Sequence, residues 1–152
     1  MEESLFIFAK GHLMNTEIKH NSVLRLLIVA SVISTLIHNI DNYIRFEQYP
    51  QPDWITPAGI FRSWTIWTIF GIAGFLLYKN QRFWLSYICL MIYAACGLSS
   101  LGHYLYGSMH DFSFFMHIFI LADGIAGFAI VGFILWSALF LQKRLRNSSA
   151  RI

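Results

Sequence analysis

Residues 114–141, FFMHIFILADGIAGFAIVGFILWSALFL, decide the fold. The stretch contains no Lys or Arg and a single carboxylate, Asp123. A bilayer core takes about 20 helical residues to cross, so Phe114–Leu141 reads as a membrane-spanning helix. Three further runs have the same character: Ser22–Ile40, Pro57–Tyr78 and Phe83–Gly102. Four spans are too few to close a barrel, and lipid forbids open strand edges. The expected fold is all-α: one integral membrane domain over residues 1–152, built as an antiparallel four-helix transmembrane bundle.

Composition agrees. Of 152 residues, 57% are apolar and 12% charged, against about 25% charged in soluble domains. The net charge of +3 is spread without a basic stripe, which argues against a nucleic-acid partner. Cys89 and Cys96 both fall in the third span. Seven helical residues separate them by roughly 10 Å of rise, too far for a bridge within one helix. They read as small buried apolar groups.

The boundaries have local causes. Thr56-Pro57 reads as an N-cap followed by proline at the first helical position. Asp111 is placed to cap the fourth helix, and Gly107-Ser108 interrupts the approach to it. The short Lys79–Arg82 link makes spans two and three an antiparallel hairpin. Pro50, Pro52 and Pro57 stiffen the first loop, whose Tyr43, Tyr49 and Trp54 suit a membrane interface.

Basic residues set the expected orientation. Lys10, Lys19, Arg25, Lys79, Arg82, Lys143, Arg144, Arg146 and Arg151 lie on one side, and only Arg45 and Arg62 on the other. The N-terminal segment 1–21 and the basic tail 142–152 are therefore expected in the cytoplasm (N-in, C-in), in a plasma or cytoplasmic membrane. The first span is too long for a signal-peptide core and lacks a small-residue cleavage site, so it reads as uncleaved.

Ionisable side chains are expensive in lipid, yet His38, Asp41, His103, His110, His117 and Asp123 gather toward the outer face. Ser31, Ser34, Thr35, His38, Asp41 and Asn42 form one stripe on the first helix. Cys89, Cys96, Ser99, Ser100 and His103 form a similar column on the third. On the fourth, His117 lies about 9 Å and Asp123 about 18 Å below Asp111, which makes His38–Asp123 a plausible buried pair.

Three functional readings follow. The first is a pocket holding a transition metal (Zn, Fe or Cu), with His38, Asp41, His103 and His117 as ligands. Asp123 would then orient a ligand histidine or act as general base, in chemistry on a lipophilic substrate. Haem b between His38 and either His103 or His117 is a variant of this reading, with Gly71, Gly74, Gly97, Gly124 and Gly127 leaving room for the macrocycle. The second is a metal-free pocket for a small ligand, or a proton-coupled transport module working as a homo-oligomer. The third is an assembly subunit of a larger membrane complex, its Gly and Ala faces packing against other helices. Read singly, each histidine has a purely structural explanation, and the serines can bond their own backbone. The Trp64, Trp67 and Phe70 face reads as lipid-facing or core. No phosphate-binding loop or nucleophile elbow is present.

Overall fold

The computed structural model describes residues 2–149, with side chains described over residues 20–140. It is all-helical among these residues. Helix α1 runs Glu2–Ile44, α2 Pro57–Lys79, α3 Phe83–Ser99 and α4 Phe114–Ser149. Short 3₁₀ turns at Phe46–Gln48, Ser100–Leu105 and Met109–Asp111 carry the connections. Four segments are long and apolar enough to cross a membrane: His20–Ile44, Pro57–Lys79, Phe83–Leu105 and Phe114–Phe140.

Three boundaries differ from the sequence reading. First, the helix that carries the first span, His20–Ile44, starts well before it at Glu2, because no proline interrupts the chain before Pro50. The side chains of the expected N-terminal segment before His20, and of the basic tail from Gln142 on, lie outside the described residues. Second, α3 tightens into a 3₁₀ turn from Ser100, short of the expected Gly102. Third, Asp111 does not cap α4. It closes a capping box with Ser108 on the Met109–Asp111 turn, where Ser108 N–H donates to Asp111 Oδ2 at 2.7 Å. Ser113 Oγ serves the start of α4 instead, accepting from Met116 N–H at 3.3 Å. At α2 the expectation holds: Thr56 Oγ1 accepts from Gly59 N–H at 3.1 Å ahead of Pro57.

Each helix packs on its neighbours in sequence, and α4 returns against α1 to close the ring. Glycines make the closest approaches. A Cβ on Gly74 would stand 2.8 Å from the Leu90 side chain, fixing α2 against α3. On Gly97 it would stand 2.5 Å from the backbone oxygen of Asp123, fixing α3 against α4. These glycines thus serve close helix approach, the role that small residues at helix contacts usually have and the one favoured for them over room for haem.

The end bearing the α1–α2 and α3–α4 connections is called the upper end here. The lower half holds the larger apolar core, around Leu24, Leu90, Tyr93, Ile130 and Phe133. Near the top, Tyr49, Phe112, Met116 and Ile120 form a second cluster. Between these two clusters lies the polar region.

Candidate functional site

The inner stripe of α1 forms as its spacing requires. Ser31, Thr35, His38 and Asn42 are all buried, while Ile33, Ile37 and Ile40 on the other faces are exposed. Asp123 is set on α4 about 14 Å below Phe114 at 1.5 Å per residue, and only 1% of it is exposed. An acid so buried needs partners. Three donors supply them. His38 Nδ1 donates to Oδ2 at 2.7 Å, Ser100 Oγ donates to the same oxygen at 3.1 Å, and Ser34 Oγ donates to Oδ1. The expected His38–Asp123 pair therefore forms, with His38 itself 4% exposed.

This geometry sets the imidazole. A carboxylate only accepts, so Nδ1 of His38 carries the proton donated to Asp123, and Nε2 is the ring's other nitrogen. That Nε2 is buried without a hydrogen-bond partner. The same logic holds for His103, whose Nδ1 donates to the carbonyl of Pro50 at 2.8 Å. The two rings lie 5.5 Å apart between centroids.

Both histidines and Asp123 line a cavity of about 650 Å³, within the range typical of small-molecule sites, roughly 300–1,000 Å³. Its walls come from the upper ends of α1, α2 and α3 and the first loop, and Asp123 is the residue α4 contributes. At the rim Leu105 is 84% and Trp54 80% exposed, against the buried His38 and Asp123 below. Trp64 and Trp67, read as lipid-facing or core, line the cavity on α2. Trp64 is held there by its indole N–H, which donates to Thr35 Oγ1 at 3.1 Å.

The four expected metal ligands do not converge. Asp41 accepts from Tyr49 O–H at 2.7 Å and pairs with Arg45 at 3.2 Å, as a local i,i+4 pair. His117 is bonded to Tyr104 O–H at 2.9 Å through Nδ1 and stacks on that ring. His38 and His103 alone of the four line the cavity. Among the described residues no group of three or more His, Cys, Asp or Glu side chains is gathered closely enough to hold a metal ion. The physical reason is competition: Tyr49 and Tyr104 offer hydroxyls to groups whose spacing alone left them free. Asp123 accepts from three donors through its two oxygens and orients His38.

Tyr49, expected at the interface, is buried instead. Burial and its hydrogen bond to Asp41 raise its hydroxyl well above the ordinary tyrosine range. Unfolded, the phenol ionises near 10. Its contribution to stability is thus intact below about pH 10 and lost as pH climbs toward the folded value. Tyr49→Phe is expected to flatten that alkaline loss in unfolding curves taken between about pH 9 and 11; an unchanged slope would show that Tyr49 does not carry it.

One member of the expected polar column takes a different partner, and one contributor escaped the sequence reading altogether. Ser100 was expected to bond its own backbone, as Ser99 does with the Cys96 carbonyl at 2.7 Å, but it reaches Asp123. Its position one turn before His103 was the available signal. Gln51 lies between the two loop prolines and lines the cavity, its amide donating to the Phe46 carbonyl at 3.4 Å.

No protein-family model matches this chain, and no match was found among curated proteins or solved structures. The fold and site by themselves define a class: a bundle of four apolar helices compatible with a membrane protein, with a part-polar cavity at its upper end.

Proposed function

We propose that this is a small multi-pass membrane protein, N-in and C-in, whose outward-facing cavity receives a small lipophilic molecule with a polar end. One observation carries the reading. The buried His38–Asp123 pair lines a cavity large enough for a ligand, whose wall is otherwise largely apolar and aromatic. The site sits within the depth of the spans, and Trp54, Trp64 and Trp67 on its wall suit a molecule arriving from the bilayer.

Ser63 lines the cavity from α2 and is otherwise exposed, so Ser63→Trp fills the space without disturbing the core. Native mass spectrometry of protein purified from its expression membrane is expected to show a retained small molecule. Occupancy should fall about tenfold in S63W, as for the loss of about 1.4 kcal/mol of binding. Identical bound-mass profiles in the two proteins would sink the reading.

A second reading, a transition metal at His38 and His103, is favoured by one feature. Both rings have Nδ1 engaged by an oxygen acceptor, the arrangement that orients metal-binding imidazoles. It ranks second because two protein ligands, not four, line the cavity. Metal analysis of wild type against His38→Ala separates the two: stoichiometric Zn, Fe or Cu lost in H38A supports the metal.

A further inference from the structure

Around the cavity, the seams where neighbouring helices meet are closed on three sides. Between α1 and α2, the rings of Tyr43 and Phe61 meet at 5.3 Å and Trp64 bonds Thr35. Between α1 and α4, Ser34 and His38 bond Asp123. Between α3 and α4, Gly97 brings the backbones together. The seam between α2 and α3 changes along its length. Low in the bundle it is tight: a Cβ on Gly71 would stand 3.0 Å from the Tyr93 ring, and Ser86 Oγ donates to the Gly74 carbonyl at 2.7 Å. Toward the top the contact ends. A Cβ on Gly102 would meet nothing within 4 Å, and one on Gly59 would meet only Thr56 of its own helix cap. Both of these glycines line the cavity, as do Ser63 on α2 and Ser99 on α3, which are exposed. The cavity is therefore open sideways between α2 and α3, within the length of the two spans.

Charge on the wall narrows what can enter. Asp123 is the only Asp, Glu, Lys or Arg on the lining, and it is 1% exposed, bonded within the bundle. No Lys or Arg stands there to meet a phosphate or carboxylate, and no exposed acid to meet an ammonium group. A charged group moving in from the side would also have to cross hydrocarbon, at high cost. Trp64, Trp67 and Ile60 offer contact for an apolar body. The exposed Ser63 and Ser99 at the seam suit an uncharged polar end, since a hydroxyl both donates and accepts.

We infer that the upper α2–α3 seam is a side entrance from the bilayer, through which an uncharged lipophilic molecule with a hydroxyl or carbonyl end reaches the cavity. This rests on the ligand-pocket reading above, and names the route and the ligand's class. Gly102 and Gly59 keep the entrance open, because a side chain at either would project into it.

The test uses the full chain in phosphatidylcholine nanodiscs. The probes are hexadecanol, hexadecyl sulfate and hexadecyltrimethylammonium, each with a diazirine near its polar end, and labelled residues are mapped by mass spectrometry after irradiation. Hexadecanol is expected to label the cavity-lining residues of α2 and α3 about tenfold more than either charged probe, as for a tenfold difference in affinity. Gly102→Phe, which the open space there accommodates, should cut that labelling about tenfold. It should leave labelling of the exposed Ile125 and Phe128 on α4 unchanged. Equal seam labelling by the charged probes would overturn the uncharged class. Labelling that G102F does not change, or that is no heavier at the seam than on α4, would overturn the entrance. Dimers that G102F dissociates, without seam labelling, would assign the seam to a second copy of the chain instead. The pocket is judged separately: retained mass lost in S63W, with no excess labelling at the seam, would keep the pocket and reject this route into it.

Discussion

Asp123→Ala is expected to lower the unfolding free energy by about 2–3 kcal/mol, the upper part of the usual cost of leaving a buried donor without its acceptor. The size follows from what the substitution strands. His38 Nδ1, Ser34 Oγ and Ser100 Oγ all donate to this carboxylate, and Asp123 is 1% exposed, so no solvent replaces it. The two serines can rotate toward backbone carbonyls within their own helices. His38 has no such retreat, and its ring would lose both its tautomer and its orientation. Asp123→Asn keeps the shape and one acceptor oxygen, and should cost less than half as much. Reversible denaturation in detergent, followed by helical circular dichroism, measures both. A D123A variant within about 1 kcal/mol of wild type would mean that the carboxylate's partners contribute little more than surface contacts do.

The second large effect comes from Gly97, and it reaches the same carboxylate through the backbone. A Cβ at Gly97 would meet the backbone oxygen of Asp123 at 2.5 Å and Gly127 N at 3.2 Å. Neither is the tip of a flexible side chain, so α3 and α4 must move apart. Gly97→Val is expected to destabilise by at least the 1–3 kcal/mol typical of overpacking. It should also lengthen the His38–Asp123 contact, because that pair bridges α1 to the displaced stretch of α4. Gly132 is the control. Nothing lies within 4 Å of a Cβ placed there, so Gly132→Ala should stabilise α4 by about 0.5–1 kcal/mol through helix propensity alone. If G97V and G132A shifted stability alike, close helix approach would not be what positions Asp123.

These two sites differ in how readable they were. The polar stripe of α1 was legible because helical periodicity places Ser31, Thr35, His38 and Asn42 on one face, and lipid repels that face wherever it is not covered. Asp123 was legible as an anomaly, a carboxylate deep within an apolar run. Depth counting then paired it with His38, and the pair forms at 2.7 Å. Asp41 and His117 share the same composition and region, yet Tyr49 and Tyr104 engage them. A list of metal-ligating residue types contains no information about which hydroxyls will compete for them. Gly97 and Gly124, by contrast, read more readily as helix contacts than as space for a cofactor, and both make close approaches to a neighbouring helix or turn.

Sequence by itself determined four apolar helices, their hairpin order, the Thr56-Pro57 helix start and the inward face of α1. Each follows from local rules: length against bilayer thickness, periodicity and capping. Only the assembled bundle shows that Trp64 and Trp67 line a cavity and that Ser100 turns from its backbone to Asp123. Those outcomes depend on which donor reaches which acceptor first across helices far apart in the chain. That competition is settled by distances of a few tenths of an ångström, which spacing along a sequence does not encode.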